Sequence, residues 1–211
     1  MAFETALKQA QSGDPLAIAN VGKSYRDGLG VAQNLAEAFH WFTLGWSQHN
    51  IDAGNGLAFM HFNGQFVEQS YEKARDIYIQ TAELGSLGAL GNLGWMHQKG
   101  HGVPVDANLA QSYMHKAATR GHCPSQLRLG LLMRTNAELR PLCDKSAFDW
   151  IKIAAEAQNA AAAFMTGVML ENGELTQQDR TGAKMWFERA AALGSKPAQN
   201  KLKKLDQPDL A

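Results

Sequence analysis

The chain has few cysteines, no long apolar run and no excess of charge of either sign. Its 2 cysteines in 211 residues form no Cys-x-x-Cys pair, which argues against a disulfide framework and against a structural zinc site. The longest apolar stretch, residues 160–170, is too short to cross a bilayer. The 20 basic residues balance the 20 acidic ones, whereas nucleic-acid binding usually needs a clustered basic excess. We therefore expect neither a membrane nor a nucleic-acid partner.

Motifs that carry catalytic chemistry are also missing from the sequence. There is no Gly-x-Ser-x-Gly elbow and no His-Glu-x-x-His, and the glycine-rich pieces lack the lysine of a phosphate-binding loop. His97 and His101 have the spacing of a helical metal site, but Gly100 between them predicts that His101 lies in a loop. We predict no catalytic residue, no cofactor and no metal. An enzyme assembled from residues distant in sequence stays open as an alternative.

What the sequence contains instead is an internal repeat. A small residue recurs at steps of 36, 36, 36 and 37 residues, and a second small residue recurs in phase with it. Turn-type sequences such as residues 28–31 and 100–104 separate the two series, so each unit is typical of helix, tight loop, helix. The first series is Ala17, Ala53, Ala89, Ser125 and Ala162, and the second is Ala38, Ala74, Ala110, Ala147 and Ala183.

The two helices of a unit have different patterns. Counting from the first small residue as offset 0, the first helix has small or aliphatic residues at offsets 0, 4, 5 and 8, which is one helix face. Glycine at offset 5, as at Gly22, predicts close approach of a neighbouring helix, at a cost of about 1 kcal/mol of helix propensity. The second helix is predicted to end at Gly85, Gly121 or Gly194. Its predicted N-caps are Asn34, Ser70, Asp106, Asp144 and Asp179.

The combined pattern resembles the Sel1-like repeat family, whose members are relatives of the tetratricopeptide repeats. The sequence shows Ala-x-x-x-Leu-Gly-x-x-Tyr-x-x-Gly-x-Gly-Val and then Lys-Ala-x-x-Trp-Tyr-x-x-Ala-Ala-x-x-Gly, with variations, from about Asp14 to Gly194. The best matches are Ala17 to Val31, Ala89 to Val103, Ala110 to Gly121 and Ala183 to Gly194. The resemblance implies an all-α fold, an α/α superhelical solenoid that serves as a protein-binding scaffold. It implies no catalytic residues.

The predicted organisation is a single solenoid domain of about five helix-turn-helix repeats with a capping helix at each end. The four lysines of the last helix are predicted to form a solvated face, and a basic binding tail is the alternative. No linker rich in Pro, Gly or Ser divides the chain. The predicted segments are an N-terminal cap helix at 1–13, repeats at 14–49, 50–85, 86–121, 122–158 and 159–194, and a C-terminal cap helix and tail at 195–211.

The placement of the two cysteines and the N-terminal residues of the sequence indicate in which cellular compartment the protein works. Cys123 and Cys143 are predicted near the starts of two antiparallel helices of the fourth repeat, and therefore at opposite ends. A helix of about 12 residues is roughly 18 Å long, whereas a disulfide needs Cα atoms within about 7 Å. The first residues lack the basic start and apolar core of a secretory signal. We therefore predict two free thiols and a cytoplasmic location.

The candidate binding residues lie at offset 6 of the first helices, where Phe59 and Trp95 stand one repeat apart and Lys23 precedes them. In the family, first helices line the inner curve of the superhelix, so the resemblance implies that both rings face a concave groove. Aromatic anchors among polar residues are where protein interfaces concentrate binding energy. The alternative is that both rings are core. The polar residues predicted to surround them are Asn20, Asn92 and Arg128 at offset 3, and Asp27, Asn63, Lys99 and Asn172 at offset 10.

Two departures from the repeat are also informative. Trp46 stands where the other repeats have alanine, and Gly54, Gly56 and Ala58 on the next helix are predicted to leave room for its ring. The alternative is that Trp46 is a local binding feature. The fourth repeat replaces the Gly-x-Gly-Val loop by a longer charged segment, residues 134–142, which is a further candidate for partner contact.

Together these features predict a non-catalytic scaffold of the bacterial adaptor type, which binds a protein or peptide in the concave groove. One alternative, suggested by what some related proteins do, is an immunity or inhibitor protein that neutralises a cognate toxin. Another is an enzyme or small-ligand binder on a repeat scaffold, which requires an enclosed pocket with a perturbed acid or histidine in it.

Overall fold

The computed structural model describes residues 2–205, and within that range it contains twelve α-helices, one 3₁₀ helix and no β-strand. The predicted C-terminal tail beyond residue 205 lies outside the described residues. The helices are α1 (Ala2–Gln11), α2 (Pro15–Asp27), α3 (Leu35–Ser47), α4 (Ile51–Asn63), α5 (Tyr71–Glu83), α6 (Leu87–Lys99), α7 (Ala107–Ala118), α8 (Cys123–Thr135), α9 (Ala147–Glu156), α10 (Ala160–Asn172), α11 (Arg180–Ala192) and α12 (Lys196–Leu205), with the 3₁₀ helix at Ala137–Leu142.

The helices alternate as the repeat pattern predicts. The first helices of the five repeats are α2, α4, α6, α8 and α10, each followed by its second helix, while α1 and α12 are single helices at the ends. The chain forms two compact units, residues 1–106 and 107–211, and within each unit consecutive helices pack against one another. In the first unit α2 also packs against α4. This all-α repeat fold confirms the predicted fold class, while the prediction of a single domain stays a prediction. None of the described helices is long and apolar enough to span a membrane.

Most of the predicted caps at the second helices are confirmed. Oδ1 of Asn34 accepts from the backbone N–H of Ala36 at 3.1 Å, and Ser70 and Asp179 make equivalent bonds at the starts of α5 and α11. Such bonds satisfy N–H groups that have no partner within the helix. At the opposite ends, Gly85, Gly121 and Gly194 adopt φ of 100°, 86° and 88° just after their helices, as predicted for glycines that end a helix.

The cap predicted at Asp144 is wrong. Helix α9 begins at Ala147, and its N-cap is Ser146, whose side chain accepts from the backbone N–H of Asp149 while Asp149 accepts from that of Ser146. This reciprocal arrangement satisfies two backbone donors, whereas a single cap satisfies one, which explains why the helix starts at the serine. Asp144 instead accepts a hydrogen bond from Lys145 and lies 3.2 Å from Nε2 of His115.

The glycine at offset 5 receives a side chain from the second helix of the same repeat. A Cβ added to Gly22 would lie 2.6 Å from Cε1 of Phe42, and one added to Gly167 would lie 2.7 Å from the ring of Phe187. Gly130 has the same relation to Ile151. At these three glycines the predicted close approach is therefore confirmed, and one large buried side chain fills each notch.

Two glycines of α4, Gly54 and Gly56, pack against different aromatic rings of α3. A Cβ on Gly54 would lie 2.5 Å from Cε3 of Trp46, which confirms that this glycine makes room for the tryptophan. The prediction for Gly56 is wrong, because a Cβ there would instead lie 2.5 Å from Cε1 of Phe42. Phe42 is fully buried and its ring packs against both Gly22 and Gly56, and Trp46 is half-buried.

Candidate protein-binding surface

Phe59 lies on α4 with 39% of its surface exposed. The start of α4 is fixed by Asn50, whose Oδ1 accepts from the N–H of Ala53 at 2.8 Å and whose Nδ2 donates to the carbonyl of Pro15 at 2.9 Å. The second bond joins the beginning of α4 to the beginning of α2. Asn50 thus helps to hold α4, which carries Phe59, against α2.

The guanidinium of Arg26, near the end of α2, covers the Phe59 ring. Its Cζ lies 5.0 Å from the ring centroid, within the range of a cation–π contact. Arg26 also donates two hydrogen bonds of 2.7 Å to the carboxylate of Asp27, and these bonds hold the pKa of Asp27 below its usual value. The bidentate pair restrains the guanidinium, so that Arg26 and Phe59 form one preorganised surface element.

Of the polar residues predicted around Phe59, Asn63 and Lys23 make contacts with α4. Nδ2 of Asn63 donates to the carbonyl of Phe59 at 2.8 Å, and Asn63 is exposed. Nζ of Lys23 lies 3.5 Å from Oδ2 of Asp52, which forms an exposed ion pair between α2 and α4. Asn20 is exposed on α2, one turn before Lys23. We call the residues Lys23, Arg26, Phe59 and Asn63 the Phe59 surface.

Trp95, at the equivalent offset on α6, has a different environment. It is half-buried and belongs to an aromatic cluster formed by Phe62, Tyr71, Trp95 and His101. Its ring centroid lies 5.1 Å from that of Phe62 and 4.8 Å from that of His101. His101 lies in the loop after α6, as predicted, and its ring packs in this cluster. Trp95 therefore combines core packing with partial exposure, and a binding role for it stays a prediction.

Other predicted residues lie on α6 and α8. Asn92 is half-buried on α6, and Lys99 is exposed in the last turn of that helix. Arg128 lies on α8, in the other unit, where it is half-buried. Burial, and after it the charge of Arg128, lowers the pKa of His122 at the start of α8. The charge of Arg128 thus acts on His122 of the same helix, within the second unit.

Arg26 is the residue of this surface that the sequence reasoning missed. It stands at offset 9, one helical turn beyond offset 6, and only offsets 3, 6 and 10 were predicted to matter. The signal that points to Arg26 is its place on α2, three residues after the offset-6 position. A long basic side chain one turn beyond offset 6 reaches the aromatic residue at offset 6 of the adjacent first helix.

The longer segment of the fourth repeat is packed against α7 and α8. The buried Gln111 donates from Nε2 to the carbonyl of Leu139 at 2.7 Å and to Sγ of Cys143 at 3.1 Å. Arg140 donates to two carbonyls at the end of α8. Both cysteines are free thiols, as predicted, and burial raises the pKa of Cys143. Partner contact at this segment stays a prediction.

An ion pair also crosses between two repeats of the second unit. Arg134 donates to both carboxylate oxygens of Glu174 at 2.6 and 2.9 Å, which lowers the pKa of Glu174. Among the described residues, no group of three or more histidine, cysteine, aspartate or glutamate side chains is arranged to hold a metal ion.

Comparison with known proteins places these repeats in a family. The family model described as Sel1 repeat matches five segments, residues 15–45, 52–86, 88–122, 124–159 and 160–195. A Sel1 repeat protein from Oxalobacter formigenes has a similar structure, with a TM-score of 0.76 and 28% identity over 90% of this chain and 78% of that protein.

Two further proteins are similar over part or most of the chain. Immunity protein PA5088 from Pseudomonas aeruginosa has a TM-score of 0.71 at 21% identity, over 98% of this chain and 79% of that one, which shows the shared fold. The chitin synthase regulator SKT5 of Malassezia restricta is 30% identical over 155 residues, which is 71% of this chain. The aligned part is 11% of that much longer protein.

Proposed function

The chain belongs to the Sel1 repeat family, and we propose that it is a non-catalytic scaffold that binds a protein or peptide partner at the Phe59 surface. The observation that carries the proposal is an aromatic ring that is 39% exposed and lies beneath a restrained guanidinium. The relative from Malassezia restricta is named as a regulator of chitin synthase, and the region it shares with this chain covers 71% of the chain. A scaffold of the adaptor type fits both facts.

The energy available at this surface is enough to anchor a partner. A phenylalanine side chain buries roughly 150–250 Å² when fully covered, so covering the exposed 39% of Phe59 removes about 80 Å² from water. At about 25 cal/mol per Å² this contributes about 2 kcal/mol. Aromatic residues and arginine are enriched in interface cores, and Arg26 supplies donors beside the ring.

The perturbed histidines support the non-catalytic part of the proposal. Burial, and then the charge of Lys73, lowers the pKa of His61, whose ring packs edge-on against Phe39. The pKa of His122 is also lowered, and its Nδ1 lies 2.7 Å from Oγ of Ser125 in the first turn of α8. Ring packing at His61 and the contact with Ser125 at His122 account for these environments, so neither needs a catalytic explanation.

The proposal is tested by differential capture followed by an affinity measurement. The full chain is immobilised, partners from the native cell are identified by mass spectrometry, and the Kd of each purified partner is measured by calorimetry. Phe59→Ala should weaken binding by about tenfold to thirtyfold, which corresponds to roughly 1.4–2 kcal/mol. Ile79→Ala is the matched control, because Ile79 is 37% exposed but lies on the second helix α5, and it should change the Kd less than about twofold.

A variant with both Phe59→Ala and Trp95→Ala gives the decisive negative result. If this variant is folded by circular dichroism and keeps every partner at unchanged affinity, the Phe59 surface is not the binding site and the proposal fails. Gene neighbourhood distinguishes the adaptor hypothesis from the immunity hypothesis, because an immunity gene is expected beside the gene for its toxin. The immunity hypothesis stays a prediction.

A further inference from the structure

The last two described helices carry a basic surface that the Phe59 surface does not explain. Residues 179–205 contain seven lysines and arginines and two acidic residues, although the whole chain is balanced at 20 of each. Helices α11 and α12 begin with Arg180 and Lys196, and neither has an acidic residue in its first turn. A cation at a helix N-terminus opposes the helix dipole, and only α11 has a neighbouring acid, its N-cap Asp179. Helix stability therefore does not account for these two charges.

A groove of about 240 Å³ lies where α11 meets the end of α12. Leu205, which is 46% exposed, supplies the apolar surface of its wall, and Phe187 lies beneath with none of its own surface exposed. The groove is lined by Glu171, Arg180, Ala183, Lys184, Phe187 and Leu205. Because Nζ of Lys201 pairs with Oε2 of Glu171 at 2.8 Å, the one acidic residue of the lining is neutralised. The groove is thus an apolar cleft with a positive rim.

Arg180 is the rim residue whose charge is available. Its side chain is exposed, and its guanidinium has no hydrogen-bond or ion-pair partner in the part of the chain that the structure describes. Lys203 and Lys204, on the neighbouring α12, are exposed as well. We propose that this groove binds an acidic segment of a partner protein, with carboxylates on the basic rim and an apolar side chain in the cleft. Charge complementarity and the planar fork of arginine, which fits a carboxylate, support this occupant.

Other polyanions fit the groove less well. Binding of single-stranded nucleic acid relies on exposed aromatic rings that stack on bases, and the aromatic residues of segment 179–205, Trp186 and Phe187, are 7% and 0% exposed. A helix that lies on an anionic membrane needs a broad free apolar face. In α12 the apolar Ala198 is buried and Leu202 is half-buried, so that face is largely covered. An acidic polypeptide is the occupant that uses both the cleft and the rim.

Fluorescence anisotropy tests this proposal with the full chain and a labelled synthetic peptide in which glutamates flank a leucine. Charge reversal of the rim, Arg180→Glu with Lys184→Glu, should raise the Kd at least about tenfold. The matched control, Lys8→Glu with Arg120→Glu, makes the same change in net charge at two exposed residues elsewhere and should leave the Kd within about twofold. Binding should also weaken as the salt concentration is raised to about 0.15 M, because exposed charges farther apart than the Debye length, about 8 Å at that concentration, are largely screened.

The apolar cleft has its own readout. Leu205→Ser should weaken the peptide with leucine by about threefold and leave a peptide with glycine in place of leucine unchanged. Phe59→Ala should not alter binding of either peptide, so failure here is distinguishable from failure of the proposed function. Exposed charges seldom decide folding, and Arg180→Gln with Lys184→Gln serves as a second variant if charge reversal disturbs the circular dichroism spectrum.

Four results would overturn the proposal. The peptide does not bind, or the control variant weakens binding as much as the rim variant, which indicates a non-specific charge effect. A labelled oligonucleotide or phosphatidylserine vesicles bind through Arg180 and Lys184 while the peptide does not. The peptide binds only after Asp206→Asn with Asp209→Asn, which indicates that the chain's own acidic residues occupy the groove.

Discussion

Replacement of Gly22 by alanine should destabilise the protein, although alanine is the better helix former. The added Cβ would lie 2.6 Å from Cε1 and 2.7 Å from Cδ1 of Phe42, whereas ordinary carbon contacts are about 3.5–4.0 Å. The ring has little room to move, because Gly56 also packs against it and a Cβ there would lie 2.5 Å from the same Cε1. The overlap of about 1 Å must therefore be relieved by movement of α2 or α4.

The expected magnitude follows from two opposing effects. Overpacking a tight core costs typically 1–3 kcal/mol, and exchange of glycine for alanine in a helix returns about 1 kcal/mol. Gly22→Ala should therefore lower the free energy of unfolding by up to about 2 kcal/mol. Gly88→Ala is the matched control in the same unit, because a Cβ there would meet nothing closer than Oγ of Ser86 at 3.8 Å. It lies in the first turn of α6 and should raise stability by about 0.5 kcal/mol.

Urea unfolding followed by circular dichroism measures both changes. A double variant, Gly22→Ala with Phe42→Leu, removes the far edge of the ring and should show a favourable coupling energy of about 1 kcal/mol relative to the two single variants. If Gly22→Ala stabilises the protein as Gly88→Ala does, the ring is not held between the two helices and the reasoning is wrong.

Three further predictions concern single residues. Trp46→Ala should lower the free energy of unfolding by about 3 kcal/mol, because it opens a cavity over α4; urea titration measures this, and a loss under about 1 kcal/mol would refute the packing role. His61 has a pKa lowered by burial and by Lys73, so its contribution to stability is complete above its ordinary pKa and is lost as pH falls through the lowered value. His61→Gln should therefore flatten the acid side of a plot of Tm against pH, and an unchanged slope would contradict the sign. Leu175 adopts φ of 57° at a position where the first and third repeats have Gly30 and Gly102, so Leu175→Gly should raise stability by roughly 0.5–1 kcal/mol; a loss would show that its side chain is held by packing.

Helix boundaries were predictable where one local signal dominated. The caps at Asn34, Ser70 and Asp179 could be read from the sequence, because each is the cap-type residue directly before its helix. In the fourth repeat Asp144 and Ser146 are both cap-type residues, and the extra residue of that repeat removes the register that would choose between them. The reciprocal Ser-x-x-Asp bond decides the start, and such a bond is visible only when both partners are considered together.

Packing partners were less predictable than helices. The glycine pattern correctly indicated close helix contacts, but it could not say which side chain fills each notch. Gly54 and Gly56 are two residues apart on α4 and face different rings, Trp46 and Phe42, because positions two apart on a helix point in directions about 200° apart. Assigning the rings requires the rotation of α4 against α3, which is a property of the packed helices.

The two aromatic residues at offset 6 show why an equal repeat position does not give an equal role. The ring of Trp95 packs against Phe62 of α4 and against His101 in the loop after α6, and these rings cover part of its surface. The neighbour of Phe59 is the guanidinium of Arg26, which covers the ring by a contact that leaves 39% of its surface exposed. The environment at offset 6 is set by the side chains of adjacent segments, and these differ between repeats. Phe59 is therefore the residue of this pair on which a binding experiment should first be made, and loss of Trp95 is expected to act on stability as well as on binding.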